Sequence, residues 1–158
     1  MSQVQIRRVQ PGEARDVDTW ITERHYRGCV PPGAVLRLEW ILRGERIGAM
    51  MWGRPCARML NADADHLLEL TRMYFDGDGA ISMTAALAQA RKHIRSWFPQ
   101  VKLLLSYADP QQGHEGIIYQ ADGWARFGKT TPKELGWANR DDRRDACGHS
   151  KIRFVRTP

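Results

Sequence analysis

The sequence predicts an α/β fold of the α+β kind, a mixed and mostly antiparallel central sheet flanked by helices. Three observations predict it. Two neighbouring runs, 35–42 and 47–52, are strand-like, and Arg43-Gly44-Glu45-Arg46 joins them as a hairpin turn. Met83, Leu87, Ala90, Ile94 and Trp97 then form an apolar stripe at helical spacing. Residues 101–107 follow as a near-continuous apolar run, the mark of a central strand. No repeat or linker divides the chain, so residues 1–158 are expected to make one domain long enough to bury a core.

Each element has its own signal. Val4 and Ile6 alternate with polar neighbours as a short strand does. Pro11-Gly12 opens a helical segment carrying Ala14, Val17, Trp20, Ile21 and Arg24, which ends near His25-Tyr26. Pro31-Pro32-Gly33 forces a loop, because two prolines and a glycine cannot propagate a helix. Within 35–42, Leu36, Leu38, Trp40 and Leu42 alternate with Val35, Arg37, Glu39 and Ile41, so one strand face is expected to be buried throughout. Residues 67–75 read as a further strand, broken by Asp76-Gly77-Asp78-Gly79. The long helix stops before Pro99. A short helix over about 113–121, a strand near 124–127 and a closing strand at 151–155 complete the order.

Composition narrows the function classes. The chain is 42% hydrophobic and 27% charged, ordinary for a soluble globular protein. It has no apolar run of bilayer length and no apolar signal-peptide core, so a cytoplasmic protein without a membrane partner is expected. A net charge of +6, carried by arginines in the N-terminal third and again over 140–156, concentrates polyanions. Nucleic acid is one reading of that charge, and a generally basic proteome is the other. Cys29, Cys56 and Cys147 are odd in number and far apart, with no Cys-x-x-Cys pair, and are expected as free thiols.

Four segments carry residues that a core does not need. His25-Tyr26 ends the first helix. Arg72 lies in Leu68-Glu69-Leu70-Thr71-Arg72, on the expected strand face of Leu68 and Leu70, where a guanidinium needs an anionic or acceptor partner. The apolar strand delivers Ser106-Tyr107-Ala108-Asp109 to a sheet rim, where α/β proteins bind ligands. Tyr119 follows in Gly116-Ile117-Ile118-Tyr119-Gln120-Ala121, and it is expected to share a pocket with Asp109. Plainer roles exist for each. His25 is a helix cap, Tyr26 and Tyr119 are rim residues with wet hydroxyls, Asp109 is a turn residue before Pro110, and Arg72 pairs with Glu69 or Asp109. His66, His149 and His114-Glu115 have no partner pattern and are expected on the surface.

The succession of elements resembles the GCN5-related N-acetyltransferase fold, in which a glycine loop and a helix N-terminus hold the pyrophosphate of acetyl-coenzyme A. Gly77, Gly79 and Ala80 in Gly77-Asp78-Gly79-Ala80 stand at that place and are the cofactor-binding candidates. Asp76 and Asp78 bring carboxylates where a pyrophosphate would lie, and Tyr74 occupies the position three before Gly77 where the loop carries arginine or glutamine. A turn capping the next helix, with Asp78 or Ser82 as N-cap, explains the same residues.

His25-Tyr26, Arg72, Asp109 and Tyr119, with Ser106-Tyr107-Ala108-Asp109 and Tyr119-Gln120-Ala121-Asp122-Gly123-Trp124, resemble the active-site set of the phage Mom family over roughly 21–127. That family converts the adenine N6 amino group of phage DNA to N6-carbamoylmethyl-adenine, which shields DNA from restriction enzymes. The resemblance implies catalytic roles for His25, Tyr26, Arg72, Asp109 and Tyr119, with Ser106 and Tyr107 binding substrate. It also implies acetyl-coenzyme A as donor, iron held by His25, Tyr26, Asp109 and Tyr119, and double-stranded DNA as partner. Asp109 would take a proton from, or hydrogen-bond, the N6 amino group. Tyr119 or Tyr107 would donate a proton or stack on an extruded base, and Arg72 would hold an anionic donor or a phosphate. Direct attack on acetyl-coenzyme A yields an acetamide, whereas a carbamoylmethyl group is joined through its methylene and ends in an amide, so it needs a different bond and an extra nitrogen source, for which a metal or a second substrate would make sense. Two alternatives stand beside this one: a conventional acetyl-coenzyme A-dependent N-acetyltransferase of a small amine or protein, and a non-catalytic phage DNA-binding protein.

Overall fold

A computed structural model describes residues 3–55, 65–130 and 150–158. In chain order the elements are β1 (Gln5–Arg8), α1 (Ala14–Arg24), β2 (Ala34–Leu42), β3 (Glu45–Gly53), β4 (Leu67–Phe75), α2 (Met83–Trp97), β5 (Leu103–Ala108), α3 (Ile117–Ala121), β6 (Ala125–Lys129) and β7 (Ile152–Arg156). The strands form one sheet in the order β1-β2-β3-β4-β5-β7-β6. Among the described residues only the β4–β5 pairing is parallel, so the sheet is mixed and mostly antiparallel as the sequence predicts. Cys56, Cys147, His149 and most of the arginine-rich 140–156 segment lie outside the described residues.

Local chemistry explains most boundaries. The β2–β3 turn is tighter than the predicted tetrapeptide: Leu42 pairs with Glu45, leaving Arg43 and Gly44 at φ 51° and 82°. Two left-handed residues match the twist of a hairpin, and glycine takes one of them without strain. Helix α2 starts at the Ser82 cap, whose Oγ accepts from the Ala85 amide at 3.1 Å, so Ser82 rather than Asp78 is the N-cap. The closing strand differs from expectation too. β7 inserts between β5 and β6, leaving β6 as the edge.

Helices cover both faces. Leu36, Leu38, Trp40, Met50 and Trp52 pack with Leu87, Ala90 and Ile94 of α2 in the larger core. Val17 and Ile21 of α1 pack with Ala49 and Met51 on the other face. Glu39 is therefore fully buried on the α1 face, where the sequence pattern would leave a polar residue in water. Its carboxylate takes hydrogen bonds from Arg7 Nε at 2.8 Å and Arg46 Nε at 2.6 Å, and it forms an ion pair with the Arg7 terminal nitrogen as well. A buried charge is tolerable only with such partners.

Two irregularities position the site. β4 and β5 pair over three residues only, from Leu67 with Leu103 to Glu69 with Leu105, and then part. Beyond that point β4 keeps β3 as neighbour and β5 keeps β7. Opposite β3, a bulge separates the Met51–Arg72 and Trp52–Leu70 pairs, with Thr71 as the extra residue. One extra residue reverses the alternation of faces. Leu68 and Leu70 join the α2-side core, whereas Arg72 is paired with Met51 on the α1 side. The expected shared face of Leu68, Leu70 and Arg72 is thus corrected.

Candidate functional site

A cavity of about 330 Å³ opens where β4 and β5 part. It collects the end of α1, the second half of β4, the exit of β5 and the start of α3. His25, Tyr26, Arg72, Ser106, Tyr107, Asp109 and Tyr119 all line it. The sequence scatters these residues over 95 positions, from 25 to 119, and the splayed strands bring them to one place. Gly77, Gly79 and Ala80 are not among its lining residues.

His25 is the C-cap of α1, with its amide donating to the Ile21 carbonyl at 2.7 Å. Its Nδ1 accepts from the Arg27 amide at 3.2 Å. Burial, aided by the positive charges of Arg72 and Arg27 and by His114, pushes the ring's pKa down to about 4. The ring is therefore neutral at pH 7, and because Arg27 occupies Nδ1 the proton is assigned to Nε2. The imidazole is a hydrogen-bond donor there. Tyr26 stacks on it with ring centres 4.5 Å apart, and the His114 ring lies 5.7 Å from the Tyr26 ring.

Arg72 is 8% exposed and is held by neutral groups. Nε donates to the Cys29 carbonyl at 2.9 Å, one terminal nitrogen to the Thr71 carbonyl at 2.7 Å, and the other meets Cys29 Sγ at 3.7 Å. These contacts fix the guanidinium while leaving its charge in the cavity wall. Asp109 is 4% exposed; its Oδ1 accepts from the Gln111 amide at 3.1 Å and so caps the turn Pro110–Gln112. The turn role expected of Asp109 is real, and it coexists with a place on the cavity wall.

Tyr119 packs against Trp124 and Phe154, each ring centre 5.3 Å away. Burial pushes its pKa up to about 12, against a hydrogen bond from Ser106 that favours the phenolate and with a small further rise from Tyr26. It is a phenol at neutral pH, able to donate. Ser106 is buried behind it, and Arg153 lies over the Tyr107 ring at 5.8 Å.

Five further titratable residues line the cavity that sequence reasoning did not assign to a site: Arg27, Glu69, His114, Glu115 and Lys151. His114 and Glu115 are exposed, as expected, and they line the cavity as well. The signal was the pair of glycines around them. Gly113 and Gly116, at φ 75° and 83°, fold the segment back and delay α3 to Ile117, four residues later than the predicted start. His66 has another role, its Nδ1 meeting the Gln100 carbonyl at 3.1 Å.

The two implied cofactors fare differently. The resemblance implies pyrophosphate binding at the loop after β4. Here Asp78 Oδ1 accepts from the Ala80 amide at 3.2 Å, and Ser82 takes the Ala85 amide. Two amides of this turn are thus answered within the chain, beside the carboxylates of Asp76 and Asp78. For iron, no cluster of three His, Cys, Asp or Glu side chains exists among the described residues. His25 Nδ1 is taken by the Arg27 amide, and the four expected ligands form no such cluster.

The model of the Mom protein family matches residues 3–147. The methylcarbamoylase mom of Escherichia phage Mu is 29% identical over 117 residues, covering 70% of this chain and 48% of that protein. The chain thus spans about half the length of the curated relative it matches. Three solved structures share the architecture. Aminoglycoside acetyltransferase AAC(6')-Ib in complex with coenzyme A aligns at TM-score 0.62 and 13% identity, over 98% of this chain and 95% of that one. An acetyltransferase of the GNAT family from Streptococcus pneumoniae aligns at 0.64 and 10%, over 98% and 99%. The spermidine/spermine N-acetyltransferase SpeG of Vibrio cholerae aligns at 0.66 and 9%, over 98% and 95%. At such identities the likeness establishes the acetyltransferase-like fold and nothing finer.

Proposed function

The chain belongs to the Mom protein family, and from that premise we propose that it is a transferase converting adenine N6 in double-stranded DNA to N6-carbamoylmethyl-adenine, protecting phage DNA in the host cytoplasm. The observation that supports this reading most is the cavity between β4 and β5, whose wall carries His25, Tyr26, Arg72, Asp109 and Tyr119 together.

The residues divide the work by chemistry. An adenine inside a duplex is out of reach, so the base is extruded into the cavity, and the Tyr26 ring backed by His25 offers it a stacking surface. Asp109 accepts the N6 proton as N6 attacks the methylene carbon of an activated carbamoylmethyl donor. The N6–carbon bond forms while the bond from that carbon to its leaving group breaks, the electron pair departing with the leaving group. Tyr119, protonated and backed by Ser106, donates a proton to that group. His25 donates through Nε2 to an acceptor on the base or on the donor. Arg72 keeps its positive charge for an anionic part of the donor, since carbonyls anchor it without neutralising it. The β6 edge, exposed along its length, presents Arg126 and Lys129 for phosphate contacts, with binding that weakens steeply as salt rises.

The fold of the coenzyme A-bound neighbour favours a second reading, conventional acetyl transfer to an amine. The carboxylate of Asp78 on the Ala80 amide argues against it.

Expression in a bacterial host, digestion of plasmid DNA to nucleosides and mass spectrometry of deoxyadenosine test the proposal. A carbamoylmethyl adduct with the wild-type chain, absent with Asp109→Asn at equal soluble level, is the expected result. Unmodified deoxyadenosine from abundant soluble wild-type protein would reject it.

A further inference from the structure

Among the described residues, three of the large apolar side chains left exposed, Tyr26, Met83 and Ile117, line the cavity. Ile117 is the extreme at 72% exposed. It stands at the first position of α3, two residues before the buried Tyr119. An aliphatic side chain held in water at a polar rim adds nothing to the core and costs hydration free energy.

Its mount is rigid. Gly116 precedes it at φ 83°, and a Cβ there would overlap the Phe154 ring, so the chain at the start of α3 lies directly on that ring. The far end of α3 is tied by the Trp124 amide, which donates to the Tyr119 carbonyl at 2.8 Å. Ile117 is thereby presented outward in one place, at the lip of the cavity.

We propose that Ile117 is the wedge that enters the base stack when adenine leaves it. This rests on the reading of the cavity as a DNA-adenine site. Extrusion costs the stacking of one base, and proteins that distort duplexes offset that cost by inserting Ile, Leu, Met or Phe between base steps. The inserted group must be apolar, exposed, rigidly mounted and beside the pocket that receives the base. Ile117 meets all four conditions. Tyr26 is already stacked on His25, and Met83 is less exposed at 37% and more flexible.

Two measurements on the full chain test the wedge. In cells, Ile117→Ala should lower the deoxyadenosine adduct by about tenfold or more, while Ile117→Leu retains most of it. Val35→Ala, which also trims an exposed apolar side chain but lies outside this cavity, should leave the adduct unchanged. In vitro, Ile117→Ala should bind a fully paired duplex more weakly than wild type, and the deficit should vanish on a duplex with abasic sites opposite the adenines, where extrusion costs less. Wild-type adduct levels from Ile117→Ala would overturn the wedge, as would an equal binding deficit on both duplexes, which marks a plain contact. No adduct from the wild-type chain would overturn the DNA reading itself, and the wedge with it.

Discussion

Two buried aspartates stand on either side of α3, and they are partnered in opposite ways. Asp122, just past its end, takes a bidentate pair from Arg91 at 2.9 and 2.8 Å and the Trp124 indole N–H at 2.8 Å. Its backbone carbonyl also accepts from Arg156. Asp109, ahead of the helix, takes the Gln111 amide on one oxygen and faces the cavity. Charge answers charge at Asp122, as it does around Glu39. At the cavity, neutral backbone groups hold both Asp109 and Arg72, and these fix position without cancelling charge. A buried ionic group with charged partners builds the fold, and one anchored by amides or carbonyls stays available to a substrate.

The largest effect should come from exchanging the two carboxylates for amides in turn. Asp122→Asn leaves the half-buried Arg91 without its countercharge and should cost about 3 kcal/mol in urea denaturation. Asp109→Asn keeps an acceptor for Gln111 and should cost less than about 1 kcal/mol, yet abolish the adenine adduct. Equal destabilisation by both would break the comparison.

Gly116→Ala comes next. A left-handed alanine pressed on Phe154 should cost about 2 kcal/mol and displace Tyr119 and Ile117 together. A melting temperature within a degree of wild type would show that α3 is not mounted on that ring.

The smallest effect is a pH dependence. His25 titrates near 4 in the folded chain and near 6.5 unfolded. The unfolded chain takes up the proton first, so this residue's contribution is full above pH 6.5 and is lost progressively as pH falls towards 4. His25→Gln should therefore flatten the urea midpoint against pH across that window. Parallel curves for the two proteins would refute the neutral, half-buried histidine.

The same contrast sorts what sequence reading reached. The hairpin, the α2 stripe and the β5 run were legible because each is a local period with a strong signal, and their ends fell within a few residues. The family set was legible as short polar words at the ends of those elements. Arg72 was assigned the wrong face because the Thr71 bulge is dictated by β3, 20 residues away, and leaves no mark in the local pattern. Burial of Glu39 was invisible for a related reason. Its partners Arg7 and Arg46 reach it only once β1, β2 and β3 are in register.

What the sequence by itself determined is the element order, the apolar faces and the identity of the polar side chains that meet at the cavity, since periodicity and residue chemistry are properties of the chain. Tertiary structure alone decided where β4 and β5 part, which nitrogen of His25 holds the proton, and that His114, Glu115 and Lys151 join the wall. Each of those depends on a contact between segments far apart in sequence, and a linear pattern carries no record of which distant backbone group will answer a given atom.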